Sequence, residues 1–143
     1  MTPSFQSLAG KLRGLGIRMT KGRRSVLAAL TKATKPLGAI ELHTLLRRKK
    51  QAMDKASVYR ELQFLAKRDI AHSVTFKDGI ARYELAPESG HKHHLVCTKC
   101  KAVEDIEVAH GDLHLLEKSI GRKKKFRVQS HALEFYGLCA RCM

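Results

Sequence analysis

The sequence has no tryptophan, three prolines and only 6% aromatic residues, so any core it forms is mostly aliphatic. No apolar run approaches the ~20 residues that a membrane-spanning helix requires, which excludes a helical integral membrane protein. No apolar leader opens the chain, so a reducing cytoplasm is expected rather than an oxidising exterior. The H-E-x-x-H motif and any obvious pairing of nucleophile and base are absent, which argues against a hydrolytic enzyme. Acidic residues are scarce: 13 Asp and Glu stand against 28 Lys and Arg, for a net charge of +15 and a pI near 10.1.

That charge is unevenly placed. Residues 1–85 carry 18 Lys and Arg against 6 Asp and Glu, a balance of +12, whereas residues 86–143 carry 10 against 7, a balance of +3. Such an excess suits a polyanion, nucleic acid first. An anionic membrane surface would instead call for an amphipathic helix with a bulky exposed apolar face, which the pattern does not offer. Histidine is skewed the other way: six of eight (His91, His93, His94, His110, His114, His131) lie beyond residue 90. Ala86-Pro87-Glu88-Ser89-Gly90, between the halves, has linker composition.

In the basic half, Phe5, Leu8, Leu12 and Leu15 recur at helical spacing and Gly14 and Gly16 end the run. Thr20 reads as the N-cap of a second helix with Val26, Leu27 and Leu30 inward. Pro36 and Gly38 precede a third, whose apolar residues are Ile40, Leu42, Leu45 and Leu46. Asp54 caps a fourth, from Asp54 to Arg68, with the stripe Val58, Leu62, Leu65. Lys55, Ser57, Tyr59, Arg60 and Gln63 lie away from that stripe. The segments 70–76 and 80–85 have strand character around Lys77-Asp78-Gly79, a hairpin signal. Helices followed by a two-stranded wing predict a winged helix-turn-helix, with the fourth helix in the major groove of double-stranded DNA.

All four cysteines fall in two Cys-x-x-Cys pairs, Cys97/Cys100 and Cys139/Cys142, with 38 residues between the pairs. Two such turns can complete a tetrahedral all-sulfur Zn2+ site, a structural role. Disulfides suit a secreted chain, and a redox centre needs only one pair.

Several ordered segments together resemble the ferric uptake regulator family. They are Arg18-Met19-Thr20-Lys21-Gly22-Arg23 with Val26-Leu27, Ala56-Ser57-Val58-Tyr59-Arg60, His91-Lys92-His93-His94-Leu95-Val96-Cys97-Thr98-Lys99-Cys100, and His131 followed by Tyr136-Gly137-Leu138-Cys139-Ala140-Arg141-Cys142. The resemblance spans about residues 10–142. It implies an α+β chain: a winged-helix DNA-binding domain at 1–85, a hinge at 86–90, and a metal-binding α/β dimerisation domain at 91–143. It implies a cytoplasmic homodimeric repressor that binds palindromic operators when a regulatory metal is bound.

By the same resemblance Tyr59 and Arg60 would reach bases and phosphates, Arg18 the minor groove, and Arg23 a phosphate, with Lys55 and Ser57 alongside. A regulatory hinge site would draw on His72, Glu84, His91, His94 and Asp105. Lys92 departs from the pattern, because a protonated amine cannot ligate; His91, Asp105 or water would then complete the set. A site within the dimerisation domain would use His91, His93 and His131 with a residue of the intervening helix. Counting from the left gives Asp112 and from the right His114; a polar turn expected at Gly121–Lys125 favours Asp112. The sensed metal is open among Zn2+, Fe2+, Mn2+ and Ni2+, with zinc slightly favoured by the nitrogen-rich donors and by His72. The competing reading is a zinc-ribbon protein that binds RNA or the ribosome without sensing metal.

Overall fold

Ser4, Thr20 and Asp54 each place a side-chain oxygen over the backbone N–H three residues on, and a helix starts at each. Ser7 N donates to Ser4 Oγ at 3.2 Å, Arg23 N to Thr20 Oγ1 at 3.2 Å, and Ser57 N to Asp54 Oδ1 at 2.8 Å. These bonds satisfy donors that a first helical turn leaves open. The helices are α1 (Phe5–Gly14) and α2 (Lys21–Lys32), then α3 (Ala39–Arg48), which starts at Gly38 without a side-chain cap, and α4 (Lys55–Ala66). Helices α1, α3 and α4 end in one kind of reversal, through Gly16 (φ 72°), Lys50 (φ 55°) and Asp69 (φ 54°). The next N–H in each case reaches back five residues at 3.0 Å: Ile17 to Leu12, Gln51 to Leu46, Ile70 to Leu65. That closes otherwise open carbonyls.

The structure, a computed structural model, describes residues 2–51, 53–88 and 92–143. The chain divides into two compact units, Met1–His91 and Lys92–Met143. In the first, β1 (Leu37–Gly38), β2 (Ala71–Thr75) and β3 (Ala81–Leu85) form an antiparallel sheet in the order β1-β3-β2. The wing hairpin closes as expected, with Gly79 N donating to Phe76 O at 3.0 Å and Gly79 at φ 73°. Strand β1 is too short to leave a periodic signal in sequence.

Leu12, Val26, Leu27, Leu42, Leu46, Val58, Leu62 and Leu65 are at most 1% exposed, and Ile70, Tyr83 and Leu85 join them from the wing. Each buried leucine contributes ~1.5–3 kcal/mol, enough to hold wing and α4 to one core. Two expected core residues are outside it. Leu15 is 57% exposed because α1 has already ended, and Ile40 is 71% exposed because it lies across α3 from Leu42.

The second unit contains β4 (His93–Cys97), β5 (Val103–Ile106), α5 (His110–Lys124) and β6 (Glu134–Gly137). Strand β4 is central, antiparallel to β5 and parallel to β6. The polar turn expected at Gly121–Lys125 is helix as far as Lys124. Arg122, Lys123 and Lys124 occupy the last turn, where cations meet the negative end of the helix dipole. Lys125 (φ 50°) then reverses the chain and Phe126 N donates to Gly121 O at 3.1 Å. A Cβ at Gly121 would come within 2.9 Å of Phe126 O, so a residue without one suits this turn. The next strand, β6, starts at Glu134.

Among the described residues of this unit, Cys97 is the only buried hydrophobic residue, whereas Leu115, Leu116, Phe126, Phe135 and Leu138 are 46–63% exposed. No helix among the described residues is long and apolar enough to cross a membrane.

Candidate metal centres and nucleic-acid face

The two Cys-x-x-Cys turns meet at the C-terminal end of β4. Thr98 N donates to Gly137 O at 2.8 Å, which ties the first turn to the end of β6 just before the second. The four sulfurs lie within 4.8 Å of one another and none is in a disulfide. Bonds of about 2.3 Å at tetrahedral angles put sulfurs about 3.8 Å apart; Cys100 Sγ and Cys139 Sγ are 3.7 Å apart. The backbone N–H groups of Cys100 and Cys139 point at Cys97 Sγ, each at 3.5 Å, and pull its thiol down to about 6. The adjacent Cys139 sulfur and burial push Cys142 up to about 12. Four sulfurs so close cannot all ionise without a cation among them, and the donor set fits Zn2+.

Strand β4 also carries the histidines on alternate faces. On one face, His94 Nε2 is 3.7 Å from Asp105 Oδ1, and Lys92 Nζ is 3.0 Å from Asp105 Oδ2. Asp105 stands directly opposite His94 in register. On the other face, His93 stacks on His131, with ring centroids 5.3 Å apart and planes at 15°. His131 Nδ1 lies 2.7 Å from Glu117 Oε1 on α5. Glu117 was not singled out from sequence; its only signal is a carboxylate one helical turn after His114. His114 is 64% exposed with Nδ1 3.9 Å from Glu117 Oε2, and Asp112 is exposed in the first turn of α5. Helix in place of a turn at 121–124 takes away the ground for preferring Asp112 to His114. In the N-terminal unit, His72 and Glu84 face each other across β2 and β3. The expected ligand His91 lies outside the described residues.

The outward face of α4 is pre-arranged. Ser57 Oγ is 2.9 Å from Asp54 Oδ2 and accepts from Arg60 Nη2 at 3.0 Å. Gln63 Nε2 reaches Tyr59 Oη at 3.0 Å and the buried wing residue Tyr83 at its Oη at 3.3 Å. Tyr59 itself is 50% exposed. The Ser57 N–H, then its hydroxyl, hold the Asp54 carboxyl below the usual carboxylate range. Lys55 and Arg18 are exposed. Arg23 is not: its side chain is 11% exposed and ion-paired with Glu61.

The model of the ferric uptake regulator family matches residues 14–136. The ferric uptake regulation protein of Bacillus subtilis (strain 168) is 33% identical over 135 residues, covering 92% of this chain and 89% of its own. That of Cupriavidus metallidurans is 31% identical over 131 residues, covering 91% and 90%. The ferric uptake regulator structure from Vibrio cholerae superposes with a TM-score of 0.75 at 27% identity, covering 91% of this chain and 98% of that one. A zinc-bound manganese uptake regulator does so at 0.71 and 28%, covering 92% and 98%.

Proposed function

Because this chain belongs to the ferric uptake regulator family, and is thus a metal-responsive transcriptional regulator and not an enzyme, we propose that it is a cytoplasmic homodimeric repressor. It binds palindromic operators in double-stranded DNA when a regulatory metal is bound. The observation that carries this reading is the α4 face, where Tyr59 and Arg60 are each held by a neighbour on the same helix. The tyrosine ring suits a thymine methyl, Arg60, Lys55 and Ser57 suit base edges and phosphates, and Arg18 suits a narrow minor groove. Residues 1–85 are the DNA-binding domain, 86–90 the hinge and 91–143 the dimerisation domain. The uncovered apolar residues of the C-terminal unit support pairing with a second copy, since a unit this small with so few buried apolar residues is marginal alone. Two-fold symmetry then makes the operator palindromic.

Zn2+ at the four cysteines is structural. A second ion would be held at the hinge by His72, Glu84, His91, His94 and Asp105, and another in the dimerisation domain by His91, His93, His131 and a helix carboxylate. Glu117 is favoured there over Asp112 and His114 by its contact with His131. Neutral imidazoles and carboxylates drawn from both halves can share one coordination shell, and that sets the spacing of the paired winged helices. DNA selects that spacing, so metal and operator reinforce each other. Zinc is slightly favoured over iron by the nitrogen-rich donors, although the same imidazoles suit nickel and iron.

The test uses protein stripped of chelatable metal but retaining its cysteine-bound zinc, and a duplex selected from a random pool. Adding each metal in turn should raise affinity about 5–150-fold, the usual range of such coupling. Affinity indifferent to every metal would defeat the sensing reading and favour the zinc-ribbon alternative.

A further inference from the structure

Arg23 sits at the start of α2, where the family pattern puts a phosphate contact, yet its guanidinium is engaged on every nitrogen. Nε donates to Glu61 Oε2 at 3.0 Å and Nη2 to Glu61 Oε1 at 3.3 Å. Nη1 donates to the carbonyl of Arg18. The Cζ lies 3.8 Å from the ring centre of Phe64, on which Arg68 also stacks at 3.6 Å. The Arg23 and Glu61 side chains are 11% and 19% exposed. A fork-to-fork carboxylate pair that is shielded from water and stacked on a ring has a fixed geometry, unlike a surface ion pair. Lys21 and Arg24, its neighbours in the first turn, are exposed and available to phosphates.

We propose that Arg23 is a positioning residue, joined to Glu61 as a latch between the two DNA-reading elements, and that it does not contact DNA. One side of the latch fixes α4 through Glu61 and Phe64. The other holds the backbone of Arg18, the residue assigned to the minor groove. Glu61 is therefore a second positioning residue, an acid on the helix that carries Lys55 and Arg60. The inference rests on the DNA-binding reading above and adds the rule by which the groove readers are held in register.

The experiment compares Glu61→Gln, Arg23→Gln and the double variant of the full-length, zinc-loaded chain on the selected duplex, with Lys55→Gln as the phosphate control. If Arg23 were a phosphate contact restrained by Glu61, Glu61→Gln would free it, remove a negative charge and tighten binding. The latch predicts the opposite: Glu61→Gln and Arg23→Gln each weaken binding about tenfold, and the double variant is no worse than either. Both single variants should keep the wild-type slope of log affinity against log salt, whereas Lys55→Gln should lower its magnitude by about 1. Tighter binding by Glu61→Gln, or a reduced slope for Arg23→Gln alone, would overturn the proposal. Thermal unfolding of the wild type, the two single variants of the pair and their double variant gives the pair's coupling without DNA. Zero coupling there would also overturn the latch, whereas failure of the wild type to select any duplex would sink the DNA reading and leave that cycle to decide the latch.

Discussion

Glu117 and His131 meet at 2.7 Å between α5 and the segment leading into β6, and His131 in turn lies flat against His93 on β4. A carboxylate and two imidazoles brought together in this way can share one metal ion, Glu117 offering it an oxygen and the two histidines a ring nitrogen each. The two residues are 14 apart in sequence and on different elements, so their meeting is a product of the fold.

Replacing Glu117 with Gln should therefore weaken the metal site of the dimerisation domain by at least the roughly 10–100-fold that losing a residue behind the ligands costs. Competition against a chromophoric chelator reads this directly. Asp112→Asn and His114→Gln should stay close to wild type; the reverse ranking would return the role to one of them.

Lys92 should act against the hinge metal. Its ammonium is 3.0 Å from the Asp105 carboxylate that also faces His94. Part-exposed pairs of this kind are worth under ~1 kcal/mol, so Lys92→Gln should raise affinity for chelatable metal about two- to fivefold. Unchanged or lower affinity would show that Asp105 is not a ligand.

Asp54 should contribute to acid sensitivity. Its folded carboxyl is held below the unfolded value of 3.8, so the stabilisation is complete above that value and is lost as pH falls through the folded pKa. Asp54→Asn keeps an acceptor for Ser57 N but cannot titrate. The difference in melting temperature between this variant and wild type should shrink as pH drops from about 6 to about 2. A difference that does not move with pH would rule out the cap as its source.

A carboxylate on the apolar face should break the dimer. Leu95 and Phe135 are neighbours across β4 and β6 beside a groove of about 380 Å³ that reaches the cysteine turns. Leu116 is 55% exposed on α5. Leu116→Glu and Phe135→Glu should each shift sedimentation toward monomer, at least about tenfold in dissociation constant. Dimers unaffected by both would place the interface elsewhere.

The N-terminal unit was legible because its signals are local. Thr20 and Asp54 cap within three residues of the N–H they serve, and Gly79 turns the wing through its own backbone. The cysteine quartet was legible because thiolate spacing is chemically specific. Glu117 with His131, Glu61 with Arg23 and Gln63 with Tyr83 were not, because nothing in a carboxylate or amide states which distant element will face it. The course of α5 was misjudged for a related reason: a lysine run reads as solvated turn until its place at a helix C-terminus is known.

Five residues of β4 serve three tasks: His93 toward His131, His94 toward Asp105, and Cys97 in the sulfur cluster. A strand alternates its faces with period two, so inserting or deleting a single residue between His94 and Cys97 would turn the histidines over relative to Cys97 and leave one set of donors on the wrong side. The segment works as a ruler whose graduations are single peptides. Changes of length should be tolerated at the wing tip, residues 77–79, and refused here, even where every ligand residue is retained.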